Sequence, residues 1–157
     1  MIERCAAELR SELMVEGFPG LNSLHALVAH AGPELRIRCG SGDEPAFLRM
    51  RDGCRGVITL RAGECLDSHN PEHWEEVSHY WLVRGGWLRQ GVAARCRADR
   101  LEMLNDARTE EWAGQLTRAW LLPRALFLEY CADLEHLADL SGCSPEWIEG
   151  RRRDLQR

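Results

Sequence analysis

Glycine and proline divide this chain into short segments, and the spacing of apolar residues changes from helical to strand-like and back along them. Residues 2–15 and 21–31 carry apolar side chains at helical spacing. Short runs of alternating or β-branched residues then follow at 35–39, 46–50 and 56–60, separated by glycine-containing turns. This order predicts an α+β fold, with helices packed around a small, mostly antiparallel three-stranded sheet.

The second half of the chain is predicted to be helical. Asn70-Pro71-Glu72 supplies an N-cap residue, a first-turn proline and a first-turn acid for a helix that should run from about Pro71 to Arg84. A longer helix is predicted over residues 108–122, and three shorter ones follow, at 123–131, at 134–140 and from 145 to the C terminus. Residues 87–107 have a mixed pattern, which indicates an irregular connection with some helix.

Length and charge narrow the class of protein. A chain of 157 residues is expected to form a single domain, residues 1–157. The net charge of -5 argues against a nucleic-acid partner, because phosphate contacts need a basic surface. The basic run Arg151–Arg153 is interpreted as a solvated helix end, with a contact to DNA or to a partner as the alternative. No apolar run approaches the roughly 18 residues of a membrane span, and the polar N terminus is unlike a signal sequence, so we expect a cytoplasmic protein with no membrane partner.

The segment Glu75-Glu76-Val77-Ser78-His79 carries the candidate chemistry. In gluzincin peptidases the sequence HExxH lies on a helix, where two histidines one turn apart bind zinc and the glutamate accepts a proton from the metal-bound water. Here Glu76 takes the general-base position and His79 the second-ligand position, whereas Glu75 replaces the first histidine. Two acids near a histidine also occur by chance on exposed helix faces, which is the ordinary alternative.

A second segment, residues 110–123, resembles the ImmA/IrrE pattern E-x-x-A-N-x-F-A-x-x-L-L-M-P. Glu110 and Pro123 are in register with it, while Gly114 replaces the asparagine and Leu116 the aromatic residue. Because the order and separation of the two segments also match, the chain resembles the ImmA/IrrE family of small zinc-peptidase domains.

The resemblance divides the single domain into two parts. An ImmA/IrrE-like core is expected over about residues 20–131, and a C-terminal helical element over about residues 132–157. The predicted strand at 56–60 comes just before the segment that resembles HExxH, as the last strand does in the family.

The resemblance also implies a metal site and a peptidase activity. Carried over residue by residue, it makes Glu75, His79 and Glu110 the metal ligands and Glu76 the general base, with zinc or another divalent metal as the cofactor. It implies a protein substrate or partner, such as a helix-turn-helix regulator in a phage or stress-response setting. His73 could replace the lost histidine only if the first turn of its helix unwound.

Glu75 leaves the activity open between two hypotheses. A carboxylate can bind zinc, but a ligand set of Glu75, His79 and Glu110 is harder and more anionic than the usual one and tolerates manganese or magnesium better. The first hypothesis is an active metallopeptidase. The second is a pseudo-peptidase that lacks the metal and binds a protein partner, with an arginine paired to the acidic cluster. A third, more general hypothesis is an unrelated helical protein with chance matches.

Overall fold

The structure is a computed structural model that describes residues 1–51, 55–88 and 107–157. This part of the chain has an α+β fold of seven helices and one three-stranded sheet, as the sequence predicts. The elements are α1 (Ile2–Glu12), α2 (Ser23–Ala31), a 3-10 turn (Gly32–Glu34), β1 (Leu35–Cys39), β2 (Phe47–Arg51), β3 (Arg55–Leu60), α3 (Pro71–Arg84), α4 (Ala107–Leu121), α5 (Arg124–Tyr130), α6 (Leu134–Ser141) and α7 (Pro145–Leu155). Among these described helices, none has the length and apolar character needed to cross a bilayer. The predicted connection at 87–107 lies, apart from its ends, outside the described residues.

The helix α3 begins and ends where the sequence predicts. The side chain of Asn70 caps it by accepting a hydrogen bond from the Glu72 backbone N–H at 3.0 Å, and Pro71 occupies its first position. Gly85 follows the last helical residue, Arg84. These local signals therefore fix the bounds of the helix that carries the candidate site.

The sheet is mixed, so the prediction of a mostly antiparallel sheet is wrong. The strand order is β1-β3-β2, and β3 is parallel to β1 and antiparallel to β2. The strand β3 takes the central position because it is the most apolar and buried of the three, with Ile58 and Leu60 almost completely inaccessible. The connection over residues 40–46 is long enough to cross the roughly 10 Å of two strand spacings, which leaves room for β3.

The helix α3 is the central element of the fold, since it packs on β2 and β3 and also on α4. Trp74, Val77 and Tyr80 are completely buried in this position. Tyr80 comes close to the sheet at Gly56, where an added Cβ would lie only 2.9 Å from the Tyr80 Cδ2 atom. The absence of a side chain at Gly56 therefore sets how closely α3 approaches β3.

The C-terminal helix α7 is tied to the rest of the domain by Arg151, which is 1% exposed. Its Nε–H donates to the carbonyl of Leu122 at 2.8 Å, and its guanidinium forms an ion pair with Glu3 of α1. Pro123 ends α4, so the Leu122 carbonyl lacks a partner within the helix and accepts this bond instead. The interpretation of Arg151 as part of a solvated helix end is therefore wrong.

Gly56→Ala is expected to lower the free energy of unfolding by about 1–3 kcal/mol, because the new methyl group overpacks the contact between β3 and Tyr80. Urea denaturation of the variant and the wild-type protein measures the difference. Gly42→Ala is the matched control, since a Cβ at Gly42 has no neighbouring atom within 4 Å. Equal stability of the two variants would contradict the close packing at Gly56.

Candidate functional site

The candidate site lies where α3 crosses α4. A buried polar contact joins the two helices, with the hydroxyl oxygens of Ser78 and Thr117 2.9 Å apart. The Thr117 hydroxyl also donates to the Ala113 carbonyl of its own helix at 3.1 Å. Ala113 is completely buried at this crossing, and its small side chain permits a close approach. The contact between Ser78 and Thr117 therefore holds α3 and α4 next to each other at this point.

His79 and Glu110 meet across this crossing. The Nε2 atom of His79 lies 3.2 Å from the Oε2 atom of Glu110. His79 is 1% exposed, whereas the Glu110 side chain is 42% exposed. The structure thus brings together the residues that the resemblance assigns as the second and third metal ligands.

The imidazole of His79 is buried without a hydrogen bond. Within residues 1–51, 55–88 and 107–157, neither of its ring nitrogens has a hydrogen-bond partner, so the contact with Glu110 is close but not hydrogen-bonded. Buried polar groups are normally paired, and neutral imidazole carries one nitrogen lone pair that can bind a metal. His79 therefore presents a donor atom toward the Glu110 carboxylate.

The side chain of Glu76, on α3, faces the outer strand β2. Burial raises the pKa of Glu76 to about 7. The nearby His79 and a hydrogen bond from the Leu48 backbone N–H in β2 act in the opposite direction, while the charges of Glu110 and Glu75 raise this pKa further. A carboxyl group with a pKa near neutrality can both accept and release a proton under physiological conditions.

Glu75 lies beside the His79–Glu110 pair. Burial and the negative charge of Glu110 raise the pKa of Glu75, and the nearby His79 and the positive charge of Arg118 lower it. Among the described residues, no three His, Cys, Asp or Glu side chains are arranged as a group that could hold a metal ion. The structure therefore assembles two of the three predicted ligands and leaves Glu75 next to them.

His73 does not lie with Glu75, His79 and Glu110. Its Nδ1 atom accepts a hydrogen bond from the Asp67 backbone N–H at 3.0 Å, and its Nε2 atom lies 3.3 Å from both the Asn70 side-chain nitrogen and a Glu64 carboxylate oxygen. The first turn of α3 is helical from Pro71 onward. His73 thus anchors the segment that precedes α3, and it cannot supply the first metal ligand of the motif that residues 75–79 resemble.

Arg118 of α4 is a charged residue close to Glu75, and the sequence analysis did not identify it. Its guanidinium binds Asp154 of α7 with two contacts, and its charge acts on Glu75. Glu110, Gly114 and Arg118 are spaced four residues apart, which places them along one face of α4. That spacing is the signal that could have revealed it.

The His79–Glu110 pair fits a divalent cation in distance and in donor type. Two ligand atoms bound to zinc at about 2.0–2.2 Å in a tetrahedral arrangement lie about 3.4 Å apart. The observed separation is 3.2 Å, and the donors are an imidazole nitrogen and a carboxylate oxygen, both of which bind zinc and manganese. Glu75 is the additional carboxylate beside this pair.

No protein-family model, curated protein or solved structure matches this chain. The likeness to ImmA/IrrE domains therefore rests on the motifs at residues 75–79 and 110–123 and stays a prediction.

Glu76→Gln is expected to stabilise the metal-free protein at pH 8 by about 3 kcal/mol and to change its stability little at pH 4.5. The folded pKa of Glu76 is raised from 4.5 to about 7, so the folded protein retains a proton that the unfolded chain releases. This contribution to stability is present below pH 4.5 and is lost as the pH rises through 7.

Urea denaturation in the presence of a chelator, at the two pH values, measures this effect. Glu16→Gln, at an exposed position in the loop after α1, is the matched control. A pH dependence that is the same in wild type and Glu76→Gln would show that Glu76 does not titrate near neutrality.

Proposed function

We propose that this chain is a metal-dependent peptidase-like protein of the ImmA/IrrE type, with a cation held by His79, Glu110 and Glu75. One observation carries the proposal: a buried imidazole without a hydrogen bond lies 3.2 Å from a carboxylate on a second helix. The acidic surroundings support the same conclusion, because the repulsion between Glu75, Glu76 and Glu110 is relieved by a positive ion.

Glu76 is the residue that moves the proton in this proposal. The Leu48 backbone N–H orients its carboxylate, and its pKa of about 7 allows it to take a proton from the attacking water and return it to the leaving amine. The cation, when bound, would lower the pKa of that water and polarise the scissile carbonyl. The substrate class is a protein segment, for which a helix-turn-helix regulator is the proposed example.

Glu75 sets the expected metal preference. Replacing a neutral imidazole with a carboxylate makes the donor set more anionic and harder, which favours manganese or magnesium relative to zinc. The additional negative charge also makes a bound water less acidic, so we expect hydrolysis to be slower than with two histidines.

The second candidate function is that of a pseudo-peptidase that binds a protein partner. It is favoured by the position of Glu75, which is not grouped with His79 and Glu110 into a three-residue site. In this case the cluster remains stable without a cation, because Glu76 is partly protonated near pH 7 and the charge of Arg118 acts on Glu75.

Metal analysis of the untagged protein separates the two functions. After incubation with manganese or zinc and removal of free ions, we expect about one equivalent of metal per chain. His79→Ala and Glu110→Gln should each weaken binding by at least about tenfold, and Glu75→His should strengthen zinc binding by a similar factor.

His25→Ala removes an exposed histidine of α2 and is the matched control, and circular dichroism establishes that each variant is folded. Stoichiometric metal that is retained in His79→Ala would place the ion elsewhere and overturn the assignment. Absence of bound metal from both wild type and Glu75→His would reject the peptidase proposal in favour of the protein-binding function.

A further inference from the structure

We infer that Arg118 sets the cation affinity of the acidic cluster formed by Glu75, Glu76 and Glu110, and that α7 controls this effect by holding the guanidinium through Asp154. The inference rests on the proposed function, because it concerns the affinity of the same site. It adds a residue that takes no part in metal coordination and that occupies an unspecified position of the motif at residues 110–123.

The side chain of Arg118 passes between two glycines on neighbouring helices. An added Cβ at Gly150 of α7 would lie 2.8 Å from the Arg118 Cδ atom, and one at Gly114 of α4 would lie 3.1 Å from Nη1. An alanine at Gly150 would therefore require the Arg118 side chain or α7 to shift. The position of Arg118 against α7 therefore depends on the absence of a side chain at Gly150, whereas the contact at Gly114 involves only the flexible end of the guanidinium.

Asp154 fixes the guanidinium from the side of α7. It accepts hydrogen bonds from Arg118 Nε at 2.7 Å and from Nη2 at 3.1 Å. Both side chains are largely buried, with exposures of 23% for Arg118 and 10% for Asp154. A two-point contact of this kind holds the plane of the guanidinium, and a lysine could not reproduce it.

The remaining nitrogen, Nη1, lies over Gly114 and has no hydrogen bond within the part of the chain that the structure describes. Gly114 is one helical turn from Glu110 along the same face of α4. The charge of Arg118 therefore lies on the side of the helix that carries the acidic cluster.

The electrostatic effect of Arg118 reaches the cluster. Its Nη1 atom lies over Gly114, one helical turn from Glu110, and its positive charge acts on Glu75 across the crossing of α3 and α4. The same charge repels a cation at the cluster, and the carboxylate of Asp154 partly cancels that repulsion. Cation affinity consequently depends on how far the negative charge of Asp154 cancels the positive charge of Arg118. Because Asp154 lies on α7, this helix influences the affinity.

Two substitutions that break the same ion pair test the inference, because they should change manganese affinity in opposite directions. Arg118→Gln removes the repelling charge and should tighten binding of Mn²⁺ by roughly tenfold. Asp154→Asn leaves Arg118 uncompensated and should weaken binding by a similar factor. The dissociation constant is obtained from the electron paramagnetic resonance signal of free Mn²⁺.

Two further variants separate charge from packing. Arg118→Lys keeps the positive charge but loses the two-point contact, so its Mn²⁺ affinity should stay near that of wild type while its thermal stability falls. Arg152→Gln removes an arginine whose ion pair with Glu149 is on the exposed side of α7, and it should change the affinity little.

The outcomes distinguish the inference from the function on which it rests. If wild type binds no Mn²⁺ but Glu75→His does, the same variants are compared in that background. Shifts in the same direction for Arg118→Gln and Asp154→Asn, or no shift at all, would overturn the inference while the metal site stands. Absence of binding in both backgrounds overturns the inference and the metal site together.

Discussion

The close crossing of α3 and α4 is the constraint on which the rest of the site depends. Ala113 is small enough to let the helices approach, and the hydroxyls of Ser78 and Thr117 form a polar contact in a buried place. Because the helices cannot slide without breaking this contact, the imidazole of His79 is held beside the carboxylate of Glu110. The opposite side of α3 is fixed equally closely, since Tyr80 lies against Gly56 of the central strand. The site is therefore built on rigid elements and not on loops.

The acidic cluster formed by Glu75, Glu76 and Glu110 is unfavourable for folding by itself, because it gathers carboxylates in a partly buried place. The structure reduces this cost in several ways. Glu76 retains a proton up to about pH 7, and the Leu48 backbone N–H stabilises its charged form. The nearby His79 and the positive charge of Arg118 lower the pKa of Glu75. Clusters that oppose stability are characteristic of functional sites, which is the reason for interpreting this one as a site and not as a solvated helix face.

The two proposed functions share this geometry and differ in what balances the negative charge. In the peptidase-like protein a divalent cation does so, and Glu75 is a ligand. In the pseudo-peptidase the proton on Glu76 and the arginine held by α7 are sufficient. A fold of this type does not decide between them, since function depends on the chemistry of the site. The decisive position is Glu75, where one carboxylate replaces the imidazole that HExxH would supply.

The sequence by itself determined the features that depend on neighbouring residues. Asn70 and Pro71 fix the start of α3, and the spacing of Glu75, Glu76 and His79 on that helix follows directly. The sequence also predicted that Glu110 belongs to the same site, through its position in a second motif. Tertiary structure alone decided the parallel pairing of β1 with β3, since strand order follows from competition for the most buried position.

Tertiary structure likewise decided the burial of Arg151 and the contact of Arg118 with Asp154. Each of these arginines contacts a residue that is far away in the sequence. A local pattern of apolar or charged residues cannot predict which distant residues come together. The physical reason is that capping and helical spacing act over a few residues, whereas the burial of a charge depends on every element that packs around it.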